Sequence, residues 1–185
     1  MANCAGVPDS YFEERAAAVT APAPVYAAFF MGQGGYVFSS GFADIANKAS
    51  ARGIIADVFA YSDVSAAQRC LDRARQNKSK RALIGYSLGC TTATYLQTLM
   101  PVDLVICIAE STLGDNHIIN KTNTKRSVLY RGTDFLSSAG LHDGFDEVVN
   151  VGAGLGIPVL SHLLVPSTQT VVNGVLAELA KLKGN

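Results

Sequence analysis

A serine stands between two glycines at residues 85–89, in the sequence Gly-Tyr-Ser-Leu-Gly. An apolar run precedes it, and residues 88–99 carry apolar side chains at helical spacing. This pattern is typical of a sharp strand-to-helix turn, because glycines two residues to either side let the strand and the helix pass closely. Such a turn exposes the Ser87 hydroxyl and places the Leu88 backbone N–H where it would stabilise an oxyanion. The alternative is an ordinary tight turn without chemistry.

A serine hydroxyl is a weak nucleophile unless a base removes its proton, and the three histidines are the candidates for that base. We expect His162 to act, because it follows the apolar run 157–160 and therefore lies at the sheet edge that carries the serine turn. We place His117 in a polar loop at 111–125 and His142 in a solvated turn. The alternative for His162 is a histidine in a surface loop.

The base needs an orienting acid, and two residues qualify. Asp134 follows a predicted strand at 127–130, and Glu110 ends a predicted strand at 104–109, so both lie at the same edge as the serine turn. We favour Asp134, because the sequence between it and His162 leaves room for a further strand. Glu110 is the alternative acid, and whichever residue is not used would be a helix cap or a surface carboxylate.

The sequence Gly-Gln-Gly-Gly at 32–35 follows an apolar strand and provides a candidate for the second oxyanion donor. Glycines let the backbone approach a developing negative charge, so the Gln33 backbone N–H is our candidate. A phosphate-binding loop is the weaker interpretation, because the pattern is not Gly-x-Gly-x-x-Gly. In addition, Asp57, the candidate ribose ligand, falls in the middle of a predicted strand.

The elements that must position these residues alternate between strand and helix along the chain. This alternation predicts a three-layer α/β/α sandwich with a mostly parallel sheet of about six strands. We expect a single domain at 25–185 after an N-terminal lead-in at 1–24. Besides the strand before the serine, the sequence predicts strands at 25–31, 54–61, 104–109, 127–130 and 147–151, and helices at 39–51, 64–77, 88–99 and 167–182, the last capped by Ser167 or Thr168.

Composition narrows the function classes. The 185 residues include 15 basic and 15 acidic ones without a basic run, which argues against nucleic acid or an anionic membrane as a partner. No apolar stretch is long enough for a membrane span, and the N-terminus lacks a signal-peptide pattern. The four cysteines lack Cys-x-x-Cys spacing, which is typical of free thiols in a reducing cytoplasm, with one disulfide left open. We expect a cytoplasmic protein without metal or cofactor, and the low charged fraction is compatible with a homodimer.

Taken together, these residues resemble the α/β-hydrolase superfamily, in which serine, acid and histidine follow one another in this chain order. The resemblance spans residues 25–183. It implies an acyl-enzyme route for hydrolysis of an ester, thioester or amide. The implied roles are Ser87 as nucleophile, His162 as general base and acid, Asp134 as orienting residue, and Leu88 and Gln33 as oxyanion donors.

Two features depart from that family. Many members have His-Gly where this chain has Met31-Gly32, a change that leaves the backbone donor in place. No insertion of lid size separates the strands at 104–109 and 127–130, so the chain resembles minimal lidless members of the cutinase-like and small carboxylesterase or thioesterase types. We therefore expect a serine hydrolase acting on a small-molecule or acyl ester or thioester. The alternatives are a catalytically inactive hydrolase-fold binding protein and a flavodoxin-like domain.

Overall fold

The computed structural model describes residues 25–110, 117–132, 142–152 and 162–184. Six strands form one sheet in which every strand is parallel to its neighbours, and two short strands pair separately. The strands are β1 Val25–Met31, β2 Ile55–Ala60, β3 Lys80–Tyr86, β4 Val102–Ile108, β5 His117–Ile118, β6 Thr124–Gly132, β7 His142–Asp143 and β8 Glu147–Val151. The order in the large sheet is β2-β1-β3-β4-β6-β8.

Helices cover both faces of this sheet. They are α1 Tyr36–Ser50, α2 Val64–Gln76, α3 Gly89–Leu99 and α4 Gln169–Lys183, the last preceded by a 3-10 turn at Val165–Ser167. Helices α1 and α4 bury their apolar side chains on one face, and α2 and α3 bury theirs on the other. The predicted three-layer α/β/α sandwich with a parallel sheet of about six strands is therefore confirmed.

Strand β1 shows why its sequence is a continuous apolar run rather than an alternating one. Ala27 and Phe29 face the layer of α1 and α4, whereas Tyr26 and Phe30 face the layer of α2 and α3. A parallel strand with helices on both sides has no face left for polar residues. Strands β1, β3 and β4 occupy the centre of the sheet, and the serine turn follows the middle one of these three.

Most predicted elements are present with shifted ends. Helix α1 begins three residues before the predicted 39, β4 spans Val102–Ile108, and β6 extends over Thr124–Gly132. Strand β8 has the predicted bounds, and Thr168 caps α4 by accepting a hydrogen bond from the Val171 N–H. Apolar periodicity locates the buried middle of an element better than its polar ends.

The prediction of a polar loop at 111–125 was wrong at its centre. His117 is buried, with Nδ1 3.5 Å from the Thr94 hydroxyl, and its strand β5 pairs in register with His142 in β7. The turn predicted around His142 is therefore a strand at that residue. Strands of two residues show no alternation that a sequence pattern could reveal.

Three of the four cysteines lie within the described residues. Cys70, Cys90 and Cys107 are buried, as predicted, and Cys90 and Cys107 are free thiols. Cys4 and the whole predicted lead-in at 1–24 lie outside the described residues. None of the helices in the described ranges is long and apolar enough to cross a membrane.

Asp146 ties the start of β6 to the segment before β8. Its carboxylate accepts hydrogen bonds from the Ser127 N–H at 2.7 Å and the Ser127 hydroxyl at 2.9 Å, and it pairs with Lys121. Burial raises the pKa of this carboxyl, but the hydrogen bonds from Lys121 and Ser127 outweigh burial and hold the pKa below its ordinary value of 3.8. The ionised form therefore stabilises the folded state.

We predict that Asp146→Asn lowers the free energy of unfolding by about 1–2 kcal/mol at pH 7. A lowered pKa stabilises the fold above the ordinary carboxyl pKa, so the difference between wild type and variant should shrink as pH falls below about 4. Urea unfolding at pH 7 and pH 3.5 measures both. Asp44→Asn, which removes an exposed partner of Lys48, is the matched control and should change stability by less than about 0.5 kcal/mol. An equal effect of the two variants would contradict the assignment.

Candidate active site

Ser87 occupies a strained turn between β3 and α3. Its φ is 53°, in the left-handed region that few residues other than glycine adopt, and helix α3 begins two residues later. Its backbone is fixed on both sides, because the Ser87 N–H donates to the Ile108 carbonyl and its own carbonyl accepts from the Cys90 N–H, both at 3.0 Å. Strain that is held by neighbouring backbone in this way is typical of functional sites.

The glycines on either side of Ser87 are required by close backbone contacts. A Cβ added at Gly85 would lie 2.5 Å from the Gly89 carbonyl oxygen, and one at Gly89 would lie 2.0 Å from the Phe30 carbonyl oxygen. Both distances are far below van der Waals contact. The expected reason for the glycine spacing, a close passage of strand and helix, is therefore present in the structure.

His162 is the histidine that reaches the serine. Its Nε2 lies 3.0 Å from the Ser87 Oγ, although the two residues are far apart in the chain. The ring is largely buried and stands just before the 3-10 turn that leads into α4. With the proton on Nδ1, Nε2 accepts the hydrogen bond from the hydroxyl, which is the arrangement needed to remove its proton.

Only one of the two candidates for the orienting acid, Glu110, lies within the described residues. Asp134 lies outside the described residues. Glu110 is buried two residues after β4, next to Ala109, whose φ of 43° turns the chain at the strand end. The Glu110 carboxylate lies 3.9 Å from the Arg131 guanidinium, so this carboxylate has a cationic partner of its own.

The candidate oxyanion donors come from the serine turn and from the chain that follows β1. Leu88 is the N-cap of α3, so its backbone amide lies at the positive end of that helix. Gln33 opens the turn after β1, which pairs with β3 in the sheet. A Cβ added at Gly32 would lie 2.8 Å from the Ser87 Cβ, which shows how closely the chain before Gln33 approaches the nucleophile.

Tyr86 contacts His162, which the sequence pattern did not predict. Its ring centroid lies 5.6 Å from that of His162, and its hydroxyl donates to the His162 backbone carbonyl at 3.2 Å. Any residue type can stand before the serine in a Gly-x-Ser-x-Gly pattern, so the sequence does not indicate what the Tyr86 side chain contacts. Its packing against His162 is visible only in the folded structure.

A cavity of about 370 Å³ lies at the opposite edge of the sheet from the serine. It is lined by residues from the amino ends of β3, β4 and β6 and by the carboxyl end of α4. Lysine side chains that line the cavity form ion pairs, Lys125 with Asp103 and Lys181 with Glu178. The cavity is not connected with the chemistry of Ser87, and we assign it no role.

Comparison with known proteins rests on solved structures, since no family model and no curated protein matches the chain. The esterase domain of a Rhodothermus marinus protein superposes with a TM-score of 0.55 at 16% identity, covering 86% of this chain and 88% of that one. An α/β-superfamily protein from Xanthomonas campestris pv. campestris gives 0.47 at 16% identity, covering 77% and 96%. A cutinase-like protein from Cryptococcus sp. gives 0.44 at 18% identity, covering 89% and 98%.

The first of these similarities shows a common fold. The chain has a fold of the small α/β-hydrolase type, as the resemblance in its sequence implied. Many functions share any one such fold, so the chemistry has to be argued from the site itself.

We predict that Gly89→Ala destabilises the protein by at least about 3 kcal/mol, because the added methyl group collides with the rigid backbone of β1. Thermal or urea unfolding measures the loss. Thr98→Ala, at an exposed position of the same helix, is the control and should change stability by less than about 0.5 kcal/mol. A Gly89→Ala protein as stable as that control would mean that the strand and the helix are further apart than described.

Proposed function

We propose that the protein is a serine hydrolase that cleaves carboxylic esters or thioesters through an acyl-enzyme intermediate. The observation that carries the proposal is the 3.0 Å contact between His162 Nε2 and the Oγ of Ser87, a serine with a φ of 53°. A strained turn that presents a hydroxyl, with a buried base at hydrogen-bond distance from that hydroxyl, is the arrangement that nucleophilic acyl transfer uses in strand-to-helix turns of this kind. An ordinary tight turn requires neither.

The proposed reaction has two halves. Ser87 Oγ attacks the acyl carbon while His162 Nε2 takes its proton, and the backbone amides of Leu88 and Gln33 stabilise the resulting oxyanion. When the tetrahedral intermediate collapses, the bond to the leaving oxygen or sulfur breaks and that atom takes the proton from the imidazolium. A water molecule, deprotonated by His162, then attacks the acyl-serine. The bond from the acyl carbon to Ser87 Oγ breaks, Oγ takes the proton back from the imidazolium, and the acid is released.

Asp134 is proposed to orient His162. The proximity of Glu110 to Arg131 supports this assignment, because the Glu110 carboxylate has a cationic neighbour at 3.9 Å other than the base. An acid in this position holds the imidazole in the tautomer that accepts a proton at Nε2 and stabilises the imidazolium that forms.

Esters are the first substrates to test, since the Rhodothermus marinus domain that has this fold is an esterase. Short p-nitrophenyl esters and acyl thioesters together cover the two leaving groups of the proposal. Turnover of the oxygen esters alone would restrict the proposal to carboxylesters.

Labelling with a fluorophosphonate tests the nucleophile and the base. We expect intact-protein mass spectrometry to show one adduct on wild type and none on Ser87→Ala. In His162→Ala the labelling rate should fall by at least about 100-fold, because the serine loses its base. Circular dichroism of each variant checks that the fold is retained. Folded wild-type protein that takes up no label and hydrolyses no ester would contradict the proposal and favour a catalytically inactive binding protein.

The acid is tested by comparing Asp134→Asn with Glu110→Gln. We expect Asp134→Asn to slow labelling of Ser87 by about 100-fold or more while leaving the melting temperature nearly unchanged. Glu110→Gln should instead lower the melting temperature, because it removes the partner of Arg131, and should change the labelling rate less than tenfold. The reverse pattern would assign the acid to Glu110.

A further inference from the structure

Tyr86, at the end of the strand that leads into Ser87, contacts the candidate base His162. It precedes Ser87 directly and is the last residue of β3, a central strand held between β1 and β4. The ring is almost fully buried and packs between Phe42, at a centroid distance of 5.8 Å, and His162, at 5.6 Å. A side chain enclosed in this way has little freedom to move.

The two contacts from Tyr86 to His162 restrain different parts of the base. The ring lies against the imidazole at an interplanar angle of 30°, which limits the tilt and height of the imidazole above the serine. The hydroxyl donates to the His162 backbone carbonyl at 3.2 Å, which holds the main chain from which the imidazole projects. Together the two contacts fix the position of His162 relative to β3, the strand that carries the nucleophile.

We propose that Tyr86 is a positioning residue that holds His162 at hydrogen-bond distance from the Ser87 hydroxyl. The inference rests on the proposed function, since a base needs such accuracy only if it removes the serine proton. A misplacement of about 1 Å at a reacting group can lower a rate by about 100-fold, so a side chain with two contacts to the base has a large effect available to it.

Substitutions at Tyr86 separate the two contacts. Tyr86→Phe removes the hydroxyl and keeps the ring, and Tyr86→Leu removes both. We expect fluorophosphonate labelling of Ser87 to slow by about fivefold in Tyr86→Phe and by about 100-fold in Tyr86→Leu. If Tyr86→Leu fails to fold, Tyr86→Phe alone still decides the question.

Tyr26→Phe is the matched control. Tyr26 is also a buried tyrosine in the central sheet, and its hydroxyl donates to Asp57 at 2.9 Å, but its side chain lies on the opposite face of the sheet. It should lose comparable stability and label at the wild-type rate. If Tyr26→Phe slows labelling as much as Tyr86→Phe, the effect is one of general stability and the proposal is overturned.

A double-mutant cycle with His162→Ala tests whether Tyr86 acts through the base. Once the imidazole is gone, Tyr86→Phe should cause no further slowing of the residual labelling. A full fivefold slowing in the His162→Ala background would mean that Tyr86 acts on the turn rather than on the base, and would overturn the proposal.

NMR of the His162 imidazole tests the positioning by Tyr86 independently of catalysis. The His162 Cε1–Hε1 cross-peak can be assigned by its absence from His162→Ala. The aromatic ring is retained in Tyr86→Phe, so a displaced or broadened cross-peak reports movement of the base. If wild type is never labelled, the proposed function fails, and a cross-peak that moves in Tyr86→Phe but not in Tyr26→Phe still supports positioning. An unmoved cross-peak in Tyr86→Phe overturns it.

Discussion

The backbone crossing between β1, β3 and α3 is the contact on which the rest of the structure depends. The position where a Gly89 Cβ would stand is only 2.0 Å from the Phe30 carbonyl oxygen, so a helix and a neighbouring strand meet there without an intervening side chain. This approach fixes where α3 begins and brings the end of β1 beside the serine. The nucleophile and the chain before its candidate oxyanion donor are thus placed by main-chain packing, which few substitutions can alter.

The layered fold and the serine turn could be predicted from the sequence because both depend on local patterns. Continuous apolar runs indicate strands that are buried on both faces, and the carboxyl ends of parallel strands lie at the same edge of the sheet. These patterns place His162, among the three histidines, at the edge that carries Ser87. Contacts between distant segments could not be predicted in this way. The pairing of β5 with β7, the burial of His117 and the packing of Tyr86 on His162 all depend on which side chains meet across the fold.

The two candidate acids show what the position of a residue after a strand cannot predict. Asp134 and Glu110 are both carboxylates that follow strands of the same edge, so residue type and position in the chain do not separate them. In the structure the Glu110 carboxylate lies 3.9 Å from the guanidinium of Arg131, which belongs to β6, the strand next to β4. No spacing rule in a single sequence reveals such a contact between neighbouring strands.

Cys90 places a buried thiol close to the serine turn. It lies one residue into α3, and its thiol donates to the Gly85 carbonyl beneath the nucleophile. Burial raises the pKa of this thiol well above its ordinary value, with further contributions from Cys107 and Glu110. Oxidants attack the thiolate, so a thiol that stays protonated and shielded resists oxidation to sulfenic acid. Burial and the raised pKa therefore both disfavour oxidation of this sulfur atom, although it lies only three residues from the nucleophile.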